Sequence, residues 1–227
     1  QSFPGTNGVV KTSVSFDPDG PGPLQELLVV AGEFTAAGLT NQLAGIAAFD
    51  GQQWIAMDGF AFDVPPHQLH VVDGRLYAAG GFVRRHGVPA RGVAEFDVEE
   101  WVWRSVGGGV NGTVVDSDVL GHEFVVTGSL TTAGNKPQIP ARNIAAWNGQ
   151  SWREVGVHEG SGNGGLDSPP FEIVANQDKI LARAGTWSLL ENGIWRVLPN
   201  PPISLSGLHV VNQKPTALYW ERLAGTH

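Results

Sequence analysis

Short apolar runs, rich in β-branched and aromatic residues, recur along the chain, and their length and content fit strands better than helices. A first set of alternating runs covers 9–16, 67–72, 114–120, 171–175 and 205–211. A second follows each of these at 27–34, 75–82, 123–130, 179–187 and 216–220. A third lies at 45–49, 92–96 and 143–147, and a fourth starts around Trp54, Trp103, Trp152 and Trp195. Turn residues separate the first two sets at Asp73-Gly74, Leu120-Gly121, Asn176-Gln177-Asp178 and Asn212-Gln213. Asp73-Gly74 predicts a type I′ hairpin, which needs positive φ at both turn residues. The third and fourth sets are joined at Asp50-Gly51, Asp97-Val98 and Asn148-Gly149, with an aromatic on each side of the turn. Such a hairpin buries a large area against a neighbouring sheet.

These runs belong to a cassette that recurs three times. Gly32-Glu33-Phe34…Ala37-Gly38…Ile46-Ala47 returns as Gly80-Gly81-Phe82…His86-Gly87…Val93-Ala94 and as Gly128-Ser129-Leu130…Ala133-Gly134…Ile144-Ala145. The lead glycines stand 48 and 48 residues apart, and the fourth-set tryptophans 49, 49 and 43. One four-stranded sheet cannot bury both faces alone, so a period near 50 predicts radially repeated sheets. The expected fold is all-β: a β-propeller of four-stranded antiparallel blades, four complete and a partial fifth. The blades fall at about 5–58, 59–106, 107–156, 157–198 and 199–227, forming one domain or a fragment of a larger propeller.

The fourth repeat departs from the others. Only ten residues separate Gly185 from Trp195, so the loop after its second strand is missing, while 157–170 is long and Gly-rich. Residues around Asn7-Gly8 line up with those around Asn111-Gly112, as though residues 1–4 closed a preceding repeat. The chain opens on Gln1, which reads as a processed or trimmed start.

The pattern Gly-x-Phe-x-x-Ala-Gly, then Ile-Ala-x-Phe/Trp-Asp/Asn-Gly-x-x-Trp, resembles kelch-like propellers of the galactose-oxidase type. It is most similar to tandem repeats of exported bacterial proteins and of fungal cortical cell-polarity markers, and Pro18-Asp19-Gly20-Pro21-Gly22-Pro23 is similar to turns of the bacterial versions. The resemblance spans about 5–198 and implies an exported or surface-attached protein without an assigned activity. It carries no catalytic residue across. Oxidases of that class use copper with a Cys–Tyr crosslink, and this chain has no cysteine and only Tyr77 and Tyr219.

Composition narrows the function classes. Gly 31 and Pro 15 among 227 residues suit a chain that turns back every ten residues or so. A net charge of −8 with no Lys/Arg run argues against nucleic acid and against an anionic membrane surface. No apolar stretch reaches the roughly 18 residues of a membrane span. Without cysteine there is no disulfide, thiolate metal site or thiol nucleophile. Asn111-Gly112-Thr113 matches a glycosylation sequon, which matters only in a eukaryotic secretory context.

Candidate chemistry sits in three places. Aligned on their turns, the first-set strands put Val14, His70, Asp118 and His209 at one level, with Glu172 within one residue and Gln68 and Asp116 two residues earlier. If these faced a central axis, His70, Asp118, Glu172 and His209 would offer a divalent metal its ligands, the alternative being a water-filled polar channel. The loops at 35–44, 83–91 and 131–142 carry Arg84, Arg85, His86, Asn135 and Lys136, a cationic face for a carboxylate or acidic partner loop. Arg91 and Arg142 share one repeat position there, which suggests a structural task. Trp187 and Trp220, outside the regular tryptophan series, are the candidate platforms for a glycan. Asp17-Pro18-Asp19-Gly20 lacks the further acceptors of a calcium loop and reads as a hairpin. No Ser-His-Asp, Walker or dinucleotide signature occurs.

The sequence thus leads to an expectation of a non-enzymatic binding or scaffolding module outside the cytoplasm, in the exported, cell-surface or periplasmic space. Its expected partner is a protein, one that could cover an open sheet edge. A glycan-binding propeller is the first alternative, and a metal-dependent hydrolase or lyase with an axial site the second.

Overall fold

A computed structural model describes residues 5–57, 62–82, 84–85, 88–158 and 164–198. Among these residues the protein is all-β, with no helix and with sheets of two to five strands. The first sheet takes β1 (Val9–Phe16), β2 (Leu27–Glu33), β5 (Ile46–Phe49) and β6 (Trp54–Ala56), and a small hairpin, β3 (Ala36–Ala37) and β4 (Thr40–Asn41), lies between β2 and β5. The second contains β7 (Gln68–Val72), β8 (Arg75–Ala79), β11 (Val93–Asp97) and β12 (Val102–Ser105), with hairpin β9 (Arg84–Arg85) and β10 (Val88–Pro89) in the corresponding place. The third has β13 (Val110–Leu120), β14 (Glu123–Ala133), β16 (Ile144–Trp147) and β17 (Trp152–Glu154), with β15 (Ile139–Pro140) on β14. In the fourth, β19 (Glu172–Ala175), β20 (Ile180–Ala184), β21 (Thr186–Glu191) and β22 (Ile194–Leu198) are joined by β18 (Val157–His158), parallel to β22.

Within every sheet the main strands follow chain order and pair antiparallel. Asp73 and Gly74 have φ of 49° and 74°, as the hairpin between β7 and β8 demands. The fourth sheet corrects one strand. The run 179–187 is not continuous: it turns at Gly185, so Trp187 belongs to the third strand and pairs back with Arg183. Gly185 has φ of 91°, a conformation glycine adopts without strain, so the chain reverses there without a long loop.

The recurring lead glycine has a packing cause. Gly32 pairs with Val10 and Gly128 with Val114, each at a bulge in the first strand. A Cβ on Gly32 would meet the Val9 carbonyl oxygen at 2.2 Å, and one on Gly128 the Thr113 carbonyl oxygen at 2.0 Å. Asn7 and Asn111 repeat as well: their amides donate to the hydroxyls of Thr35 and Thr131.

The sheets stack face to face in sequence. One core lies between the first and second sheets around Val29, Ile46, Leu76, Phe96 and Trp103. The next joins the second and third around Tyr77, Val93, Phe124, Trp147 and Trp152, and another joins the third and fourth around Val125, Ile144, Ile180, Leu190 and Trp195. Strand alternation sends successive residues to opposite faces, so each interior strand serves two cores.

Candidate functional site

The strands β1, β7, β13 and β19 lie side by side as the first strands of consecutive sheets. Their polar side chains project sideways, toward the neighbouring sheet. Val72 and Leu120 show the direction, since each belongs to the core shared with the following sheet. By alternation Gln68 and His70 share the face of Val72, and Asp116 and Asp118 that of Leu120.

The two aspartates join the edges of β13 and β19. Asp116 accepts the backbone N–H of Ile173 at 2.8 Å and of Ser117 at 2.9 Å, and Gln68 donates its amide to it at 2.8 Å. Asp118 accepts the N–H of Ala175 at 2.7 Å and of Val119 at 2.8 Å. In an antiparallel ladder, alternate N–H groups of an edge strand point away from its partner. Left in a buried cleft they would go unsatisfied, and the carboxylates satisfy them on both strands at once. Burial pushes Asp118 up to about 7 and Asp116 up to about 6, the backbone N–H bonds pulling the other way. His70 is held down to about 4 by burial; its ring packs 5.6 Å from Phe124 and its Nε2 lies 3.1 Å from Ser117 Oγ.

The residues expected to form an axial metal site have the following partners. His70 goes to Ser117, Asp118 to Ala175 and Glu172 to Arg183 at 2.9 Å. Among the described residues no group of three or more His, Asp or Glu side chains is placed to hold a metal ion. Equal levels on homologous strands gave equal faces, and those faces look at the next sheet instead of at one another. His209 lies outside the described residues.

The other candidates are dispersed. Arg84 and Arg85 form β9, whose backbone pairs with β10, while His86 and Trp220 lie outside the described residues. Asn135 and Lys136 stand exposed in the loop between β14 and β15. Arg91 and Arg142 both adopt positive φ, and their carbonyls accept the N–H of Val110 and of Leu166, tying this loop to the chain entering the next sheet. Trp187 is not an open platform: it is 8% exposed, with the Arg183 guanidinium 5.5 Å from its ring centroid and 4.5 Å from that of Phe171.

A feature the sequence reading missed is the repeated indole bond across the sheets. Trp152 Nε1 donates to the Val106 carbonyl at 3.2 Å and Trp195 Nε1 to that of Val155 at 2.9 Å. Each acceptor lies three residues after the preceding sheet's own tryptophan, a spacing visible in the sequence as Trp103 to Val106 and Trp152 to Val155. Trp54 has no preceding sheet among the described residues, and there its indole N–H makes no hydrogen bond. The face around it is correspondingly open. Leu28 is 43% exposed, whereas Leu76, Phe124 and Ile180 at the homologous position are each 0% exposed.

No protein-family model matches the sequence, and no curated protein is significantly similar to it.

Proposed function

We propose that the protein is a non-enzymatic scaffold built as a kelch-like β-propeller, which works outside the cytoplasm through protein–protein contacts as part of a larger assembly. The observation that carries this reading is the first sheet's outer face. Three homologous faces are sealed by a preceding sheet; this one leaves Leu28 exposed and the Trp54 indole without a partner. An apolar sheet face rimmed by unused donors is a contact surface in waiting. The buried polar groups on the first strands support the same reading, because their hydrogen bonds are spent on joining sheets and leave no paired nucleophile and base. The absence of cysteine and the repeat's resemblance to exported proteins support the location, and the charge of −8 speaks against a nucleic-acid partner.

Hydrogen exchange tests this reading. Segments 27–33 and 46–56 should be protected in material taken intact from its source and should lose that protection once the chain is purified. Identical exchange in the two preparations, together with a monomeric mass, would rule out the assembly role.

A further inference from the structure

A cavity of about 290 Å³ opens between the second and third sheets, on the side of their hairpin turns, and Asp73, Arg75, Tyr77, His122, Trp147 and Gln150 line it. Three of these residues break the repeat. Tyr77 stands where the other sheets have Val29, Val125 and Leu181, and Trp147 where they have Phe49, Phe96 and Leu190. Arg75 stands where they have Leu27, Glu123 and Lys179. Tyr77 faces the third sheet, its ring stacked 5.0 Å from that of Phe124, and Trp147 faces the second. At the neighbouring sheet contacts the corresponding pairs are Val29 with Phe96 and Val125 with Leu190, all without polar atoms. Of these three homologous pairs among the described residues, this one alone joins two aromatic residues with polar handles.

One of those handles, the indole of Trp147, is not used by the protein. Trp147 Nε1 is buried without a hydrogen-bond partner of good geometry, and the Tyr77 hydroxyl beside it lies among Trp147, Arg75 and Glu95. The indoles of Trp101, Trp152 and Trp195 donate to carbonyls across the sheets, whereas the buried indole of Trp147 does not. A buried donor without an acceptor is rare in folded proteins, and departures from a repeat's own packing rule concentrate where a molecule binds something.

We propose that this cleft binds a single saccharide unit. The charges around it are matched: Arg75 Nη1 lies 3.2 Å from Glu95 Oε1, and His122 Nδ1 lies 2.7 Å from Asp73 Oδ1. A cleft whose cations are already neutralised has no excess attraction for an anion. It does offer donors and acceptors side by side, from guanidinium, carboxylate, amide, phenol and indole, and each sugar hydroxyl is a donor and an acceptor at once. The volume is at the lower end of small-molecule sites and accommodates one ring, not an oligosaccharide. The site is separate from the open face of the first sheet, so the scaffold reading and this one stand or fall independently.

The test is a two-dimensional proton–nitrogen NMR titration of the full chain, following the indole N–H signals with D-glucose, D-galactose, D-mannose, N-acetyl-D-glucosamine and, as an anion probe, acetate. The Trp147 signal is expected to shift saturably with at least one of the sugars while those of Trp152 and Trp195 stay in place. Tyr77→Phe keeps the ring stacked on Phe124 and should weaken that binding by about fivefold to tenfold, the loss of one neutral hydrogen bond. Gln150→Ala, an exposed turn residue, should weaken it as well without changing the indole signals of the free protein. No shift with any of the sugars overturns the proposal, as does a shift with acetate alone, or equal shifts at all three indoles.

Discussion

Replacing Asp118 by Asn separates what the carboxylate does as an acceptor from what its burial costs. The folded-state value of about 7 exceeds the ordinary 3.8, so the folded protein holds this proton more tightly than the unfolded chain does. The stability Asp118 contributes through that proton is therefore fully present below about pH 4 and is lost as pH rises through about 7. Between pH 5 and pH 8 the loss is about two pKa units' worth, or roughly 2–3 kcal/mol. Asp116 adds a smaller change of the same sign, since its value is about 6. His70 works in the opposite sense below about pH 6.5, so the wild-type profile alone would blur the effect. The difference between wild type and Asp118→Asn cancels His70 and Asp116. Asparagine cannot titrate and has one acceptor oxygen for the two N–H groups of Val119 and Ala175. Urea unfolding at pH 5 and pH 8 should then show the variant losing roughly 2–3 kcal/mol more at pH 5 than at pH 8. Parallel curves, with the same difference at both pH values, would refute the raised value and with it the buried two-edge arrangement.

His70 should stay neutral at pH 6 by imidazole NMR, and the stability it contributes, present above about pH 6.5, should fall away as pH drops toward its value of about 4. Exposed His122, whose value Asp73 raises, should titrate above it in the same spectra. Trp195→Phe should cost about 1–3 kcal/mol in urea unfolding by leaving the Val155 carbonyl without its donor, while Trp54→Phe should stay within about 0.5 kcal/mol in the isolated chain. Gly128→Ala should cost at least about 2 kcal/mol and Gly81→Ala less than 1, because a Cβ on Gly128 strikes a backbone oxygen at 2.0 Å and one on Gly81 meets nothing within 4 Å; equal melting temperatures for the two would contradict the bulge packing.

The strands were legible because their signals are local. Alternation, Asp-Gly turns and the tryptophan starts placed β1, β2, β5 and their counterparts to within a few residues, and the all-β class followed from them. The break at Gly185 was not, since 179–187 reads as one apolar run and the turn depends on a single backbone position. The register of His70 with Asp118 was legible too, but not where the two side chains point. Register fixes the level of a side chain along the strand, and the direction is set by which sheet packs on which face. That packing is a long-range property, with the Asp118 acceptor bond to Ala175 spanning 57 positions of sequence. The Trp147 donor was invisible for the converse reason. The sequence shows an aromatic in its repeat position, and only the neighbours show that its N–H has been left without a task.

A repeat of this kind assigns two jobs to the same inner strands. Each must contribute apolar residues to the cores on both sides, and its unpaired edge must still find acceptors and donors. Apolar alternation meets the first need with little demand on identity, which is why Val14, His70 and Asp118 can occupy one homologous level. The second need is specific to each junction: between the third and fourth sheets two aspartates meet it, between the second and third the work falls to Gln68, His67 and His70. Polar residues on these strands therefore vary from repeat to repeat for structural reasons, and their convergence in an alignment is weak grounds for chemistry. The better sign is the reverse, a polar atom appearing at a junction position that otherwise carries none and remaining unbonded. In this chain Trp147 meets that description, with Tyr77 facing it across the junction.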